Sequence, residues 1–214
     1  MDNGYATFTN VRIPRTDMLM GFAQVSSSGT YTKQDGAEKI AFGIMLDVRA
    51  RICINSAYVL ARALTISVRY SFVRLQGFVD NIGKNPTERS VMEYPTQQNV
   101  LMPLLAFAYA LHFTGQDVKG SYSTYTSTND VTLLPELHAT SAGLKAYITT
   151  HVSEGMESCR KMCGGHGFLV NAGFADLYTS YTILYLGRHQ GGVTTTNGKI
   201  FIKKIFSSNI YYKV

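Results

Sequence analysis

Cys159-Arg160-Lys161-Met162-Cys163-Gly164-Gly165-His166-Gly167-Phe168 joins a long helical pattern to a turn that carries Gly164, Gly165 and Gly167. Glycine is required where φ turns positive or where another group must come close to the backbone. A turn of this kind can end a helix, cradle an anionic cofactor, or do both. The chain around it narrows the choice.

Upstream of the turn, residues 134–163 read as one helix, with Pro135 near its N1 position and the glycines at its end. Residues 35–78 form another long helical pattern. Ile40, Ile44, Val48, Ile52, Ala57, Leu60, Leu64, Val68, Phe72 and Leu75 recur there at mostly four-residue steps, with no proline among them. A helix of that length exceeds the globular average and belongs in a bundle or a long hairpin. Residues 81–86 read as a loop. A further helix is predicted from near Thr96 through the apolar 101–113 segment, with Pro103 tolerated in its early turns. Residues 115–130, rich in Ser, Thr and Tyr, read as loop, and a shorter helix covers 176–185. Helices of this kind bury a core only by packing together, so the predicted fold class is mainly α and four-helix-bundle-like.

The two ends of the chain behave differently. In residues 1–34, Tyr5-Ala6-Thr7-Phe8 reads as a strand and Ser26-Ser27-Ser28-Gly29 as a turn. Two or three strands do not make an independent sheet, so this segment reads as the last strands of something larger. After Gly187 the helical period stops. Gly191-Gly192-Val193-Thr194-Thr195-Thr196-Asn197-Gly198 is built of poor helix formers, and residues 200–214 have no obvious packing partner in the chain.

Composition excludes several classes. Across 214 residues, 45% hydrophobic and 16% charged content describe an ordinary globular core rather than a disordered chain. The net charge of +6 would permit a polyanion. The basic residues are scattered, however, apart from Lys199, Lys203 and Lys204, and no nucleic-acid partner is expected. Cys53, Cys159 and Cys163 are too few for a disulfide framework, which points to a reducing compartment. Cys159 and Cys163 lie one helical turn apart without His or further Cys at ligand spacing, so no metal site is expected. Met1-Asp2-Asn3-Gly4 does not open like a signal peptide, and the 100–113 apolar run is too short to span a bilayer. A soluble protein is the expectation.

Five blocks carry a resemblance. They are Thr9-Asn10-Val11-Arg12-Ile13-Pro14-Arg15 with Met18-Leu19-Met20, and Thr65-Ile66-Ser67-Val68-Arg69-Tyr70-Ser71-Phe72-Val73-Arg74-Leu75-Gln76. Then come Tyr94-Pro95-Thr96-Gln97-Gln98, Leu134-Pro135-Glu136-Leu137-His138-Ala139-Thr140-Ser141-Ala142-Gly143-Leu144-Lys145, and Cys159 through Phe168. In this order and spacing the chain resembles the acyl-CoA oxidases, flavin enzymes of peroxisomal fatty-acid β-oxidation related to the acyl-CoA dehydrogenases. The resemblance implies that residues 1–34 are the trailing edge of a flavin-binding β domain. Residues 35–186 would be the first C-terminal helical domain of the acyl-CoA dehydrogenase/oxidase fold, and residues 187–214 a tail outside the family's pattern. The chain would then be a fragment of a longer, FAD-dependent, homodimeric, peroxisomal subunit, although Tyr212-Lys213-Val214 is not a peroxisomal targeting tripeptide.

The resemblance also implies roles. Arg74 matches the arginine that, in related dehydrogenases, reaches the flavin pyrophosphate of a neighbouring subunit. A guanidinium suits that task because it stays charged and bonds phosphate bidentately. Gln76, Gln97 and Gln98 are placed to hydrogen-bond the adenosine part, with plain helix-surface glutamines as the equal alternative. Gly164 and Gly165 match paired glycines near the flavin's adenosine end, a role compatible with a helix C-cap. Lys161 stands where the dehydrogenases carry a flavin-binding glutamine. His166 lacks a partner nucleophile or carboxylate and reads as structural. Glu136 and His138 sit at a helix start, where capping fits better than catalysis.

One position departs from the family. Its reaction converts acyl-CoA and O2 to trans-2-enoyl-CoA and hydrogen peroxide. A glutamate removes the α-proton while a hydride passes to the flavin, and O2 then reoxidises it. That glutamate follows an aromatic residue and precedes a glycine, but here the slot reads Tyr185-Leu186-Gly187. Leucine cannot take a proton. Codons can be chosen for residues 186–203 so that the adjacent frame encodes Leu-Glu-Asp-Ile-Lys-Val-Val-Leu-Leu-Gln-Gln-Met-Ala-Lys-Tyr-Leu-Leu-Lys, an apolar helix with a glutamate near the right place. The tail after Tyr185 is therefore read as frameshifted or misassembled, and no catalytic residue is assigned. Two functional readings stand: a fragment of an acyl-CoA oxidase inactive alone, or a non-catalytic helical module that pairs with a full-length subunit.

Overall fold

The proline-free stretch Ala37–Val73 forms one helix, α1, in the computed structural model, which describes residues 4–34, 37–78, 87–128 and 130–186. The described residues fall into two units that divide between Met45 and Leu46, inside α1.

The first unit contains a small hairpin. β1 (Ala23–Val25) pairs antiparallel with β2 (Tyr31–Lys33), with Gln24 opposite Thr32. The predicted Ser26–Gly29 turn joins them: Gly29 takes φ 83°, and its N–H donates to the Ser26 carbonyl at 3.0 Å. Arg15 Nη1 donates to the Val25 carbonyl at 2.8 Å and ties the preceding segment to β1. The strand expected at Tyr5-Ala6-Thr7-Phe8 is not formed; these residues have no regular secondary structure and are exposed. Alternation without a neighbouring ladder does not fix a strand.

The second unit is a helical bundle. α2 spans Pro95–Thr128, α3 Leu134–Met162 and α4 Phe174–Leu186. Among the buried positions of α1, Leu46, Ala50, Cys53, Ala57, Leu60, Leu64, Ser67 and Ser71 follow steps of four and three that make a coiled-coil-like seam. α2 answers with Gln97, Leu101, Ala108, Leu111, Gly115 and Val118, and α3 with Leu137, Ser141, Leu144, Ile148, Val152, Met156 and Cys159. The expected apolar stripe on α1 coincides with the seam in the middle of the helix and departs from it toward both ends. Ala57, Leu60 and Leu64 lie in it, whereas Val48 and Phe72 are exposed. Small residues fill much of the seam and let the helices approach. A Cβ at Gly115 would stand 2.8 Å from Ile54 Cγ1 and 3.1 Å from its backbone nitrogen.

The contacts fix the topology. Gly115 packs on Ile54 while Gln97 bonds Ser71, so α1 and α2 are antiparallel. Gln97 also bonds the end of α3, so α2 and α3 are antiparallel as well. α4 returns along α1, with Tyr181 Oη donating to Ser56 Oγ at 2.7 Å. Burial pushes the Tyr181 phenol up to about 12 and the Cys53 thiol up to about 11, so both stay neutral in this core.

Two boundaries differ from expectation. α1 stops at Val73, and Leu75–Phe78 forms strand β3, antiparallel to β4 (Glu88–Ser90). The 81–86 loop lies outside the described residues. Residues 115–128, expected as loop, continue α2. Their hydroxyls return bonds to the helix, as Thr124 Oγ1 does to Gly120 O and Thr128 Oγ1 to Thr124 O. Tyr122 and Tyr125 pack against Leu46, Leu134 and Leu137, and that burial overrides weak propensity.

At this same end, Arg49 Nη1 lies 2.9 Å from His138 Nδ1. A guanidinium can only donate, so Nδ1 accepts and the imidazole is neutral. His138 is thus a tie between α1 and α3 rather than the cap expected for it, while Glu136 sits in the first turn of α3. Burial first, then the Arg49 charge, hold the His138 pKa below its ordinary value. The unfolded chain accordingly binds a proton that the folded chain refuses, so this stabilisation is present above the ordinary histidine range and is lost as pH falls through it. Urea unfolding at about pH 7.5 and about pH 5.5 should show a loss of stability in acid that shrinks in His138→Gln. An equal loss in both proteins would contradict the assignment.

Candidate functional site

One end of the bundle collects every residue singled out in the sequence for the cofactor. It is built from the end of α1, the start of α2, the end of α3 and the glycine turn. α2 begins where Tyr94-Pro95 dictates: proline fixes φ and needs no donor, and the Gln97 and Gln98 N–H groups donate to the Tyr94 carbonyl at 3.0 and 3.2 Å. Ser90 and Glu93 form a capping box on the turn just before it.

Arg74 follows the last residue of α1. Its N–H donates to the Tyr70 carbonyl at 2.8 Å, and its own carbonyl accepts from Val91 N–H at 2.9 Å. The backbone is therefore fixed from both sides, while the side chain is exposed and its guanidinium makes no bond among the described residues. Gln76 lies on β3, exposed, its carbonyl accepting from Tyr94 Oη at 2.8 Å. The neighbouring Gly77 has φ 82°, and a Cβ there would collide with the Tyr94 hydroxyl. Gln98 is exposed, with Nε2 donating to the Met92 carbonyl at 2.9 Å.

Gln97 sits differently from a surface contact. It is only 7% exposed, and Nε2 donates to Ser71 Oγ at 2.7 Å and to the Met162 carbonyl at 2.8 Å. Both amide hydrogens are spent inside the bundle. Ser71 Oγ in turn donates to the Ser67 carbonyl at 2.6 Å, and Ser90 Oγ donates to the Ser71 carbonyl at 2.8 Å.

The glycine turn spans Gly164–Phe168 as a 3-10 segment after α3. Gly164 takes φ 56°, the left-handed region that ends helices, and Cys163 N–H donates to the Arg160 carbonyl at 3.1 Å. The three glycines have different reasons. A Cβ on Gly167 would collide with the Arg160 carbonyl, whereas Cβ atoms on Gly164 or Gly165 would meet nothing within 4 Å. Open backbone faces outward at Gly164 and Gly165. Lys161 is taken up with Arg160 in ion pairs to Glu157, at 3.6 Å for Lys161 Nζ and 2.7 Å for Arg160 Nη2.

Three residues at this end were missed by sequence reasoning. Tyr70 Oη lies 3.0 Å from His166 Nδ1, which gives the structural histidine a named partner on α1. Tyr94 reaches back to β3, and the Arg89 guanidinium carbon stands 4.0 Å above its ring. Only the aromatic before Pro95 hinted at this anchor. Cys159 and Cys163 are buried free thiols, and among the described residues no group of His, Cys, Asp or Glu could hold a metal ion. Nor is any described helix long and apolar enough to cross a membrane. Leu186 closes α4, which runs away from the glycine turn for about 20 Å at 1.5 Å per residue. Residues 187–214, the tail read as frameshifted, lie outside the described residues.

The model of the acyl-CoA oxidase C-alpha1 domain matches residues 42–186, most of the chain. The chain belongs to the acyl-CoA oxidases. Peroxisomal acyl-coenzyme A oxidase 1 of Rattus norvegicus is 40% identical over 209 residues, 96% of this chain and 31% of that relative. The chain thus spans under a third of that relative's length. The crystal structure of an acyl-CoA oxidase from Lycopersicon esculentum superposes with a TM-score of 0.75 at 42% identity, covering 83% of this chain and 27% of that one. Acyl-CoA oxidase-1 of Caenorhabditis elegans, complexed with FAD and ATP, gives a TM-score of 0.69 at 38% identity over 81% of this chain and 25% of that one. The bundle is the family's C-terminal helical domain, with a few strands before it.

The turn geometry makes a contrast that an acyl-CoA oxidase bundle should obey. Gly167→Ala should lower the stability of the unit by about 1–3 kcal/mol, since it forces backbone apart. Gly165→Ala, at a position with no positive φ and open space, should cost under about 1 kcal/mol. Urea midpoints for the two variants check this, and equal midpoints would show that the turn is not packed as described.

Proposed function

We propose that this chain is part of an FAD-dependent acyl-CoA oxidase subunit, and that the end carrying Arg74 and the glycine turn is the adenosine and pyrophosphate wall of a flavin site. One observation carries the reading. An exposed arginine with a doubly fixed backbone and no side-chain partner among the described residues shares an end of the bundle with open glycine backbone at Gly164 and Gly165. Arg74 would pair with pyrophosphate oxygens, Gly164 and Gly165 would let the adenosine approach the backbone, and Gln76 and Gln98 would border it. When bound, the flavin supplies the hydride acceptor for acyl-CoA oxidation and passes the electrons to O2. The names of the peroxisomal relatives support a peroxisomal setting and an acyl-CoA substrate.

The separation of Leu186 from the glycine turn supports a further part of this reading. The adenosine wall and the base slot stand about one helix length apart. In a homodimer the wall would serve the neighbouring subunit's flavin, while the base slot would serve its own. With leucine in that slot this chain has no group to take the α-proton, and we propose that it does not turn over. The tail beyond Tyr185 is proposed to come from a shifted frame, and an unshifted transcript with no such alternative across this junction would remove that explanation.

A second reading is favoured by a separate observation. An apolar groove of about 500 Å³ runs between α1 and α2, floored by Ala57, Leu64 and Ala108 and rimmed by Arg69 and His112. Phe72 and Phe113 are also exposed, at 62% and 67%. Such surface suits a non-catalytic module that packs on a full-length subunit.

Flavin titration of the purified chain separates the two readings. FAD should bind, and Arg74→Ala should weaken it by roughly tenfold or more, the loss of a charged bidentate contact. No acyl-CoA-dependent peroxide should form. Identical FAD affinity in Arg74→Ala would sink the flavin wall, and measurable peroxide would overturn the assignment of an inert base slot.

A further inference from the structure

We infer that Gln97 is a positioning residue for the flavin wall: its buried amide sets the axial register between the end of α1 that carries Arg74 and the end of α3 that carries the glycine turn. The inference rests on the flavin reading for its consequence, but the tie itself stands on geometry alone.

The amide acts at a junction of three helices. Gln97 projects from the first turns of α2, and its two N–H groups reach Ser71 Oγ on α1 and the Met162 carbonyl on α3 at 2.7 and 2.8 Å. Ser71 stands three residues before Arg74, and Met162 two residues before Gly164. One side chain therefore bonds within a turn of both halves of the proposed wall. Ser71 is fully buried and passes the constraint along, donating to Ser67 and accepting at its carbonyl from Ser90. Met162 contributes one of the carbonyls that a helix end leaves without an intrahelical donor.

Why an amide rather than a hydrophobe stands here follows from what each can specify. Leucine or methionine would fill the space and spare the desolvation of a polar group. Apolar contact fixes the distance between two helices but leaves sliding along their axes cheap. Directed hydrogen bonds fix that sliding, as a lone polar residue does in a coiled-coil seam. The Tyr70 to His166 contact between the same two helix ends is exposed and competes with water. The amide is buried and bonds both ends at once.

Two substitutions and two readouts test the inference. Gln97→Met keeps length and volume but removes both donors. Gln97→Glu removes them at neutral pH and regains one when the carboxyl is protonated in acid. Amide hydrogen exchange in Gln97→Met should quicken about tenfold or more in both 71–77 and 159–168, with 144–152 in the middle of α3 unchanged. FAD affinity should fall as it does in Arg74→Ala. Gln97→Glu should behave like Gln97→Met at neutral pH and recover toward the parent in acid, where Gln97→Met does not. That recovery is read within one folded protein, so it stays decisive if Gln97→Met fails to fold. Unchanged exchange, or loosening spread evenly over the bundle, overturns the tie. Loosening of both ends in a parent chain that takes up no FAD overturns the flavin reading and leaves the tie standing.

Discussion

The pair of hydrogen bonds donated by Gln97 Nε2 joins the ends of three helices, and the proposed flavin wall rests on that junction. Along most of its length the bundle is held by a seam of apolar and small residues, from Leu46 to Leu64 on α1 and from Leu137 to Cys159 on α3. Such a seam supplies the stabilisation. It does not say where along its axis each helix stops. At the end that carries Arg74 and the glycine turn the seam turns polar, through Ser67, Ser71 and Gln97, all buried and all bonded. Ser67 and Ser71 donate to carbonyls of α1 itself, and only Gln97 spends its donors on two other helices.

This arrangement separates two tasks in space. The ends of α1 and α3 and the start of α2 are knit into a rigid platform that presents Arg74 and the glycine backbone outward. α4 leaves that platform and carries the chain about 20 Å away to Leu186. On the proposed reading, one surface faces the adenosine and pyrophosphate of a flavin, and a separate helix, α4, carries the slot for the base that acts on the acyl-CoA. In this chain that slot holds Leu186.

Much of this was legible in the sequence, for identifiable reasons. Long proline-free intervals and glycines past Cys163 announced the helices, and the ordered blocks from Thr9 to Phe168 named the family. The phase of α1 was not legible toward its ends, because the seam there includes Ala50, Cys53, Ser67 and Ser71, small residues that carry little hydrophobic signal. Large residues such as Val48 and Phe72 point outward and misled the stripe. The continuation of α2 through 115–128 was hidden by Ser and Thr, whose cost is offset by bonds to the preceding turn and by burial of Val118. Gln97 illustrates the hardest case. A glutamine offers the same amide to a ligand or to the protein, and only the position of Ser71 and Met162 around it decides which.

The central claim is that the Gln97 amide and its serine acceptor act as one coupled unit. A double-mutant cycle in urea, using Ser71→Ala, Gln97→Met and the pair together, measures it most directly. The account predicts that the double variant loses less stability than the sum of the single losses, by about 0.5–3 kcal/mol. Strict additivity would mean that the two side chains are neighbours without a shared bond, and would contradict the account.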